Sequence, residues 1–165
     1  MEDSCIIVSG GKLREVISVT ATENEMTGLM QEHEAIRAHM RFLTESLSNL
    51  ATPSIQVKDR IRSYRWGLYD FRDGIRRHIE LDERIFETLL GSTAVEETLR
   101  EHEEIQKQVA GAILLADNAV ENELGQEELY QHILNIREAF KRICELIEAH
   151  TVKEDRLLKL VQKDL

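Results

Sequence analysis

"IRSYRWGLYDFRDGIRRHIELDERIF", residues 61 to 86, decides the fold. Its apolar side chains recur at steps of three and four, through Ile61, Tyr64, Leu68, Phe71 and Ile75, and the same stripe then carries His78, Asp82 and Ile85. That period belongs to one face of an α-helix turned towards a core. With Val57 and Leu89 at its ends, the stripe runs well beyond the length of an average globular helix. Three further segments have the same spacing. The first holds Met26, Leu29, His33, Ile36, Met40, Leu43, Leu47 and Leu50; the third Val95, Leu99, His102, Ile105 with Gln106, Val109, Ile113, Ala116 and Val120. The fourth holds Leu129, Ile133, Ile136, Phe140, Ile143, Ile147, His150, Glu154, Leu157 and Val161.

Short breaks separate the segments: "ATPS" at 51 to 54, "GS" at 91 to 92 and "NELG" at 122 to 125. Thr22 to Glu25 and Thr93 to Glu96 have the capping-box form that opens a helix. Connections this short force consecutive long helices to run antiparallel. The expected architecture is all-α, an up-down-up-down four-helix bundle over residues 22 to 165. Residues 1 to 21 are set apart as an N-terminal arm, or a hairpin around Gly10 and Gly11, because of their β-branched runs.

The 165 residues, 42% of them hydrophobic, suit one domain with a substantial core. A formal charge of −10 opposes nucleic acid and anionic lipid at long range. The basic run from Lys58 to Arg77 reads as a solvated helix face paired with acidic neighbours. No apolar run reaches the ~20 residues of a membrane span, and the start lacks the basic region of a signal peptide, so the expected location is cytoplasmic. Cys5 and Cys144 have no spacing that suggests a disulfide framework or a zinc knuckle.

The informative residues are polar ones on the apolar stripes. Four of six histidines, His33, His78, His102 and His150, lie on the stripes, whereas His39 and His132 fall beside them. Asp82 and Glu154 also lie on the stripes. Burying a carboxylate costs several kcal/mol unless something compensates it, and no Lys or Arg shares these positions. A metal ion is the economical partner. His78 with Asp82, and His150 with Glu154, are spaced four apart, so each pair projects from one helix face. In an antiparallel bundle all four imidazoles reach one height. "QEHEAI" at 31 to 36 echoes "REHEEI" at 100 to 105, and "HIELDERIF" at 78 to 86 echoes "HTVKEDRLL" at 150 to 158. The echo predicts two equivalent metal positions bridged by two carboxylates.

Imidazole and carboxylate donors without thiolate point to iron, manganese or non-thiolate zinc. The Glu-x-x-His spacing of ferritin-like di-iron bundles is missing, since the residue three before each histidine is apolar or Met. The ordered set H, H-x-x-x-D, H, H-x-x-x-E on four helices instead resembles the hemerythrin-like (HHE cation-binding) domain, over residues 22 to 163. The resemblance implies two iron ions joined by an oxide or hydroxide, with His33, His78, His102 and His150 as ligands and Asp82 and Glu154 bridging. Oxygen-carrying hemerythrins have a fifth histidine where this chain has Gln106. The four-histidine set is more similar to di-iron proteins of iron-sulfur repair and to the iron-sensing domain of an F-box protein. Asp82 is one methylene shorter than the usual Glu.

The leading functional expectation is therefore a di-iron protein that binds or senses O2, NO or iron. The alternatives are a di-iron enzyme that reduces peroxide or NO, or supports iron-sulfur repair, with Tyr64 as its one candidate acid, and a purely structural helical interaction module. A small diatomic ligand or peroxide is the expected partner, not a nucleic acid or a membrane.

Overall fold

The computed structural model describes residues 10–50, 56–90 and 92–164, with side chains described over 24–50, 56–88 and 96–162. Four helices account for nearly all of it: α1 Gly10–Leu50, α2 Val57–Leu90, α3 Ser92–Glu121 and α4 Gln126–Asp164. Helix α1 packs on α2 and α4, and α3 packs on the same two, which closes a ring of four. Cross-helix pairs fix the directions. On α1 and α4, His33 meets Asp155 while Arg37 meets Glu148; on α2 and α3, Arg65 meets Asp117 while Glu83 meets His102. Rising numbers on one helix meet falling numbers on the next, so the bundle is antiparallel, as its short links require. No helix is long and apolar enough to cross a membrane among the described residues.

The start of α1 corrects the sequence expectation. Helix begins at Gly10, so Thr22 is not a helix boundary, and residues 10–21 are helical rather than strands of a hairpin. Residues 1–9 lie outside the described residues. The β-branched residues before Thr22 each lower helix propensity by only a few tenths of a kcal/mol, and extending a nucleated helix adds a hydrogen bond for every residue fixed. Without a proline, nothing stops it. The "NELG" break separates α3 from α4 as expected, whereas residues 51–55 and Gly91 are outside the described residues.

The stripes of α1 and α2 are buried almost as read. Helix α3 departs from its stripe: Thr98 is buried and Leu99 is 37% exposed, and Ala112 and Ala119 join the core. On α4 the buried residue is Leu158, with Leu157 only partly covered. A helix of 3.6 residues per turn drifts against a strict seven-residue pattern, so the buried stripe slips by one position along a long helix. Gly67 has a packing role: a Cβ there would come to 2.8 Å from Cδ2 of the fully buried Leu43. The basic run on α2 is laced with acidic partners, including Asp59 with Arg62 and Asp117 with Arg65.

The apolar core is divided. A large cluster reaches from Leu47, Leu50 and Ile61 up to Ile36, Ile75, Ile79, Ile105 and Ile147. A small one, built on Met26, Leu29, Ile85, Phe86 and Leu158, closes the other end. Between the two, each helix carries its polar stripe residues, so a polar layer is capped by hydrocarbon above and below.

Candidate metal centre

The polar layer brings together all six residues singled out in the sequence. His33, His78, Asp82, His102, His150 and Glu154 are buried, none more than 4% exposed. The only other buried polar side chains among the described residues are Thr98 and Thr151, and no Lys or Arg is among them. Helix rise and stripe phase place the six. α1 and α3 contribute one imidazole each, and α2 and α4 each add a carboxylate one turn beyond their imidazole.

The donors form two groups. Asp82, His102, His150 and Glu154 each offer an atom within 4.8 Å of the others, and so do His33, His78 and Glu154. Glu154 belongs to both. Its Oε2 lies 3.1 Å from His33 Nε2 and 3.7 Å from His78 Nε2; its Oε1 lies 2.9 Å from His150 Nε2 and 3.9 Å from His102 Nε2. Asp82 reaches His102 Nε2 at 3.2 Å and joins only the first group. The two equivalent, doubly bridged positions expected from the sequence echo are thus unequal: the shorter Asp82 arm serves one side, and Glu154 serves both.

Four more carboxylates stand around these six residues, and the spacing along the stripes did not point to them. His33 Nδ1 donates to Asp155 Oδ1 at 2.6 Å, His150 Nδ1 to Glu101 Oε2 at 2.8 Å, and His102 Nδ1 to Glu83 Oε1 at 3.2 Å. His78 Nδ1 lies 3.6 Å from Glu32 Oε2, too far for a hydrogen bond. Every outer carboxylate is the chain neighbour of an inner residue: Glu32 of His33, Glu83 of Asp82, Glu101 of His102, and Asp155 of Glu154. One residue along a helix turns a side chain by about 100°, out of the core and towards the adjacent helix. The result is a circuit with one open link: α2 supports the histidine of α3, α3 that of α4 and α4 that of α1, while Glu32 of α1 stands beside the histidine of α2 without bonding it. The doublets were legible as E-H, D-E, E-H and E-D, and the Glu shared by the "QEHE" and "REHE" echo was the signal. Arg37 fixes Asp155 at 3.3 Å while also holding Glu148 and Thr151, and Lys153 fixes Glu101 at 2.9 Å.

Outward Nδ1–H donation of this kind holds a ring in one orientation and leaves Nε2 for a cation. The inner atoms need one. His102 Nε2 and His150 Nε2 are 3.0 Å apart, a spacing at which two lone pairs repel unless a proton or cation stands between them. Both oxygens of Asp82, Oε1 of Glu154 and both nitrogens of His78 are buried without an aligned hydrogen bond. Orphaned polar atoms in a low-dielectric core are costly.

Titration follows the same geometry. Burial pushes Asp82 up to about 7, against its contact with His102 and with added repulsion from Glu154. Burial would also raise Glu154, but its four histidine neighbours outweigh this and hold it well below the carboxylate range. His102 is pulled down by burial and pulled up further by Asp82 and Glu154, to about 10. His33 and His150 are likewise raised on balance by their carboxylates. His78 is lowered by burial, which its contact with Glu154 does not offset. Two buried carboxylates therefore call for positive charge within the layer. Donor set, charge deficit and orphaned atoms all fit a divalent cation in each group, with imidazole and carboxylate ligands and no thiolate.

The remaining candidates stand apart. His39 and His132 belong to neither group, and Gln106 is exposed. Tyr64 is 14 residues from His78 along α2, about 21 Å of helix. It packs against Phe140, and burial pushes its phenol up, so it is not an acid for this site. Cys144 is half-buried beside Thr44 and Arg41; Cys5 lies outside the described residues. Comparison with known proteins finds no matching family model, no matching curated protein and no matching solved structure.

Proposed function

We propose that this chain is a hemerythrin-like di-iron protein that binds or senses O2, NO or iron. One observation carries the reading: two donor groups share Glu154 inside a buried layer that has four imidazoles, a second carboxylate and, among the described residues, no buried Lys or Arg. His33, His78 and Glu154 would hold one ion, and His102, His150, Asp82 and Glu154 the other. A pair of iron ions would supply redox chemistry and open coordination positions to a small diatomic molecule. The chain contributes the enclosure. The hydrocarbon clusters cap the layer on both sides, and Asp155, Glu83 and Glu101 fix the orientation of the His33, His102 and His150 rings.

Three protein ligands on one side and four on the other leave each ion short of six, which supports binding of a small ligand over a saturated structural site. Gln106, exposed where oxygen carriers have a histidine, supports a sensor over a reversible oxygen carrier.

The test is metal content together with the visible spectrum. Protein purified without chelator after iron supplementation should hold close to two metal ions per chain and change its spectrum between anaerobic and aerobic buffer. Fewer than one ion per chain, with stability unaffected by iron, would overturn the reading.

A further inference from the structure

Building on that metal reading, we propose that the two positions are unequal in use: the Asp82/His102/His150/Glu154 position is permanently held, and the His33/His78/Glu154 position is exchangeable, filled and emptied through the groove between α1 and α2.

Three independent features separate the sides. Asp82 joins only the α3/α4 group, so that side has four donors and two carboxylate charges, and the other has three donors and only the shared charge of Glu154. His78 is the one cluster imidazole without a hydrogen bond at either nitrogen. His33, His102 and His150 are held through Nδ1 at 2.6, 3.2 and 2.8 Å. A ring held by a carboxylate is a better-oriented ligand, and loss of such support costs metal affinity about 10- to 100-fold.

The third feature is access. A groove of about 450 Å3 lies between α1 and α2 and is lined by Glu32, His39, Asp70, Asp73 and His78, with Arg77 as its one cationic residue; Asp73 is paired with Arg72 at 2.9 Å, which leaves Glu32 and Asp70 as its carboxylates without a Lys or Arg partner among the described residues. His78 is 3% exposed and forms part of this wall. Its ring, without a hydrogen bond, thus stands between this groove and the buried layer. Glu32, 42% exposed with its Oε2 3.6 Å from His78 Nδ1, spans both environments. Acidic side chains at the mouth and imidazole at the base are the donors a hydrated divalent cation exchanges through on dehydration.

The α3/α4 face has a groove as well, lined in part by Glu97, Glu101, His150 and Lys153. There the carboxylates are already neutralised. The Lys153 ammonium sits 2.8 Å from Glu97 and 2.9 Å from Glu101, and Glu101 in turn holds His150. An incoming cation meets a fixed cation on that side.

The experiment is an anaerobic titration of the metal-free full chain with Fe2+, followed by release to an excess of chelator, with bound metal counted at each step. The wild type should bind in two steps separated by roughly tenfold or more in affinity, and release one ion faster than the other. Glu32→Gln should change the weaker, faster step by about tenfold and spare the stronger one. Glu101→Gln should do the reverse, and Asp82→Glu, whose arm is one methylene longer, should narrow the gap between the steps. A single class of sites, or the same step altered by Glu32→Gln and Glu101→Gln, overturns the inference while leaving the metal reading in place. No binding at all overturns the metal reading itself. Unchanged far-UV circular dichroism of each variant separates these outcomes from loss of fold.

Discussion

Phe71 and His78 lie two turns apart on one face of α2, and each is almost fully buried. Phe71 meets Phe140 and sits in the large apolar cluster, whose members gain from excluding water. His78 faces Glu154, His33 and Glu32, and neither of its nitrogens finds a hydrogen bond. The same helix phase buries both. In the cluster, burial stabilises the fold; in the layer it costs free energy unless a cation completes the charge balance. The fold and the site are thus separable, and substitutions should show it.

Glu154 is the largest lever. It joins both donor groups, so Glu154→Gln should remove both metal ions while far-UV circular dichroism stays that of a four-helix protein; two ions retained would break the comparison. Phe71→Ala works on the other side, with an expected loss of about 3–5 kcal/mol in urea unfolding and unchanged metal stoichiometry in the folded fraction. Asp155→Asn is subtler. It removes the charge that orients His33, so metal affinity should fall about 10- to 100-fold with much smaller loss of stability, read by competition against a chelator.

Gly111 tests the bundle away from both regions. It is exposed mid-helix, and a Cβ there meets nothing within 4 Å, so Gly111→Ala should stabilise the chain by about 1 kcal/mol without altering metal content. His39 is the control. It packs edge-on to Phe71 and belongs to neither donor group, so His39→Ala should leave metal content unchanged, whereas His33→Ala should lower it to one ion or fewer. Equal losses in the two variants would undo the distinction between stripe and flank.

Much of this was legible because helical periodicity is local. The steps of three and four place Leu68, Phe71, Ile75, His78 and Asp82 on one face whatever their partners are. The errors arose where local rules compete. The capping-box form at Thr22 lost to the continuation of α1 from Gly10, because a cap stabilises an end without creating one. The choice between Leu157 and Leu158, and between Leu99 and Thr98, depended on how far a long stripe drifts before its neighbours fix it.

The sequence by itself determined the four helices, their antiparallel order and the six polar residues of the buried layer, since each follows from spacing along one chain and from the cost of burying charge. Only the tertiary structure decided how those six divide. Which group the short arm of Asp82 reaches depends on distances between helices, as does the fact that Glu83, Glu101 and Asp155 reach a histidine of the adjacent helix and Glu32 does not. Side chains a residue apart on one helix point to different neighbours, and packing alone determines what waits there.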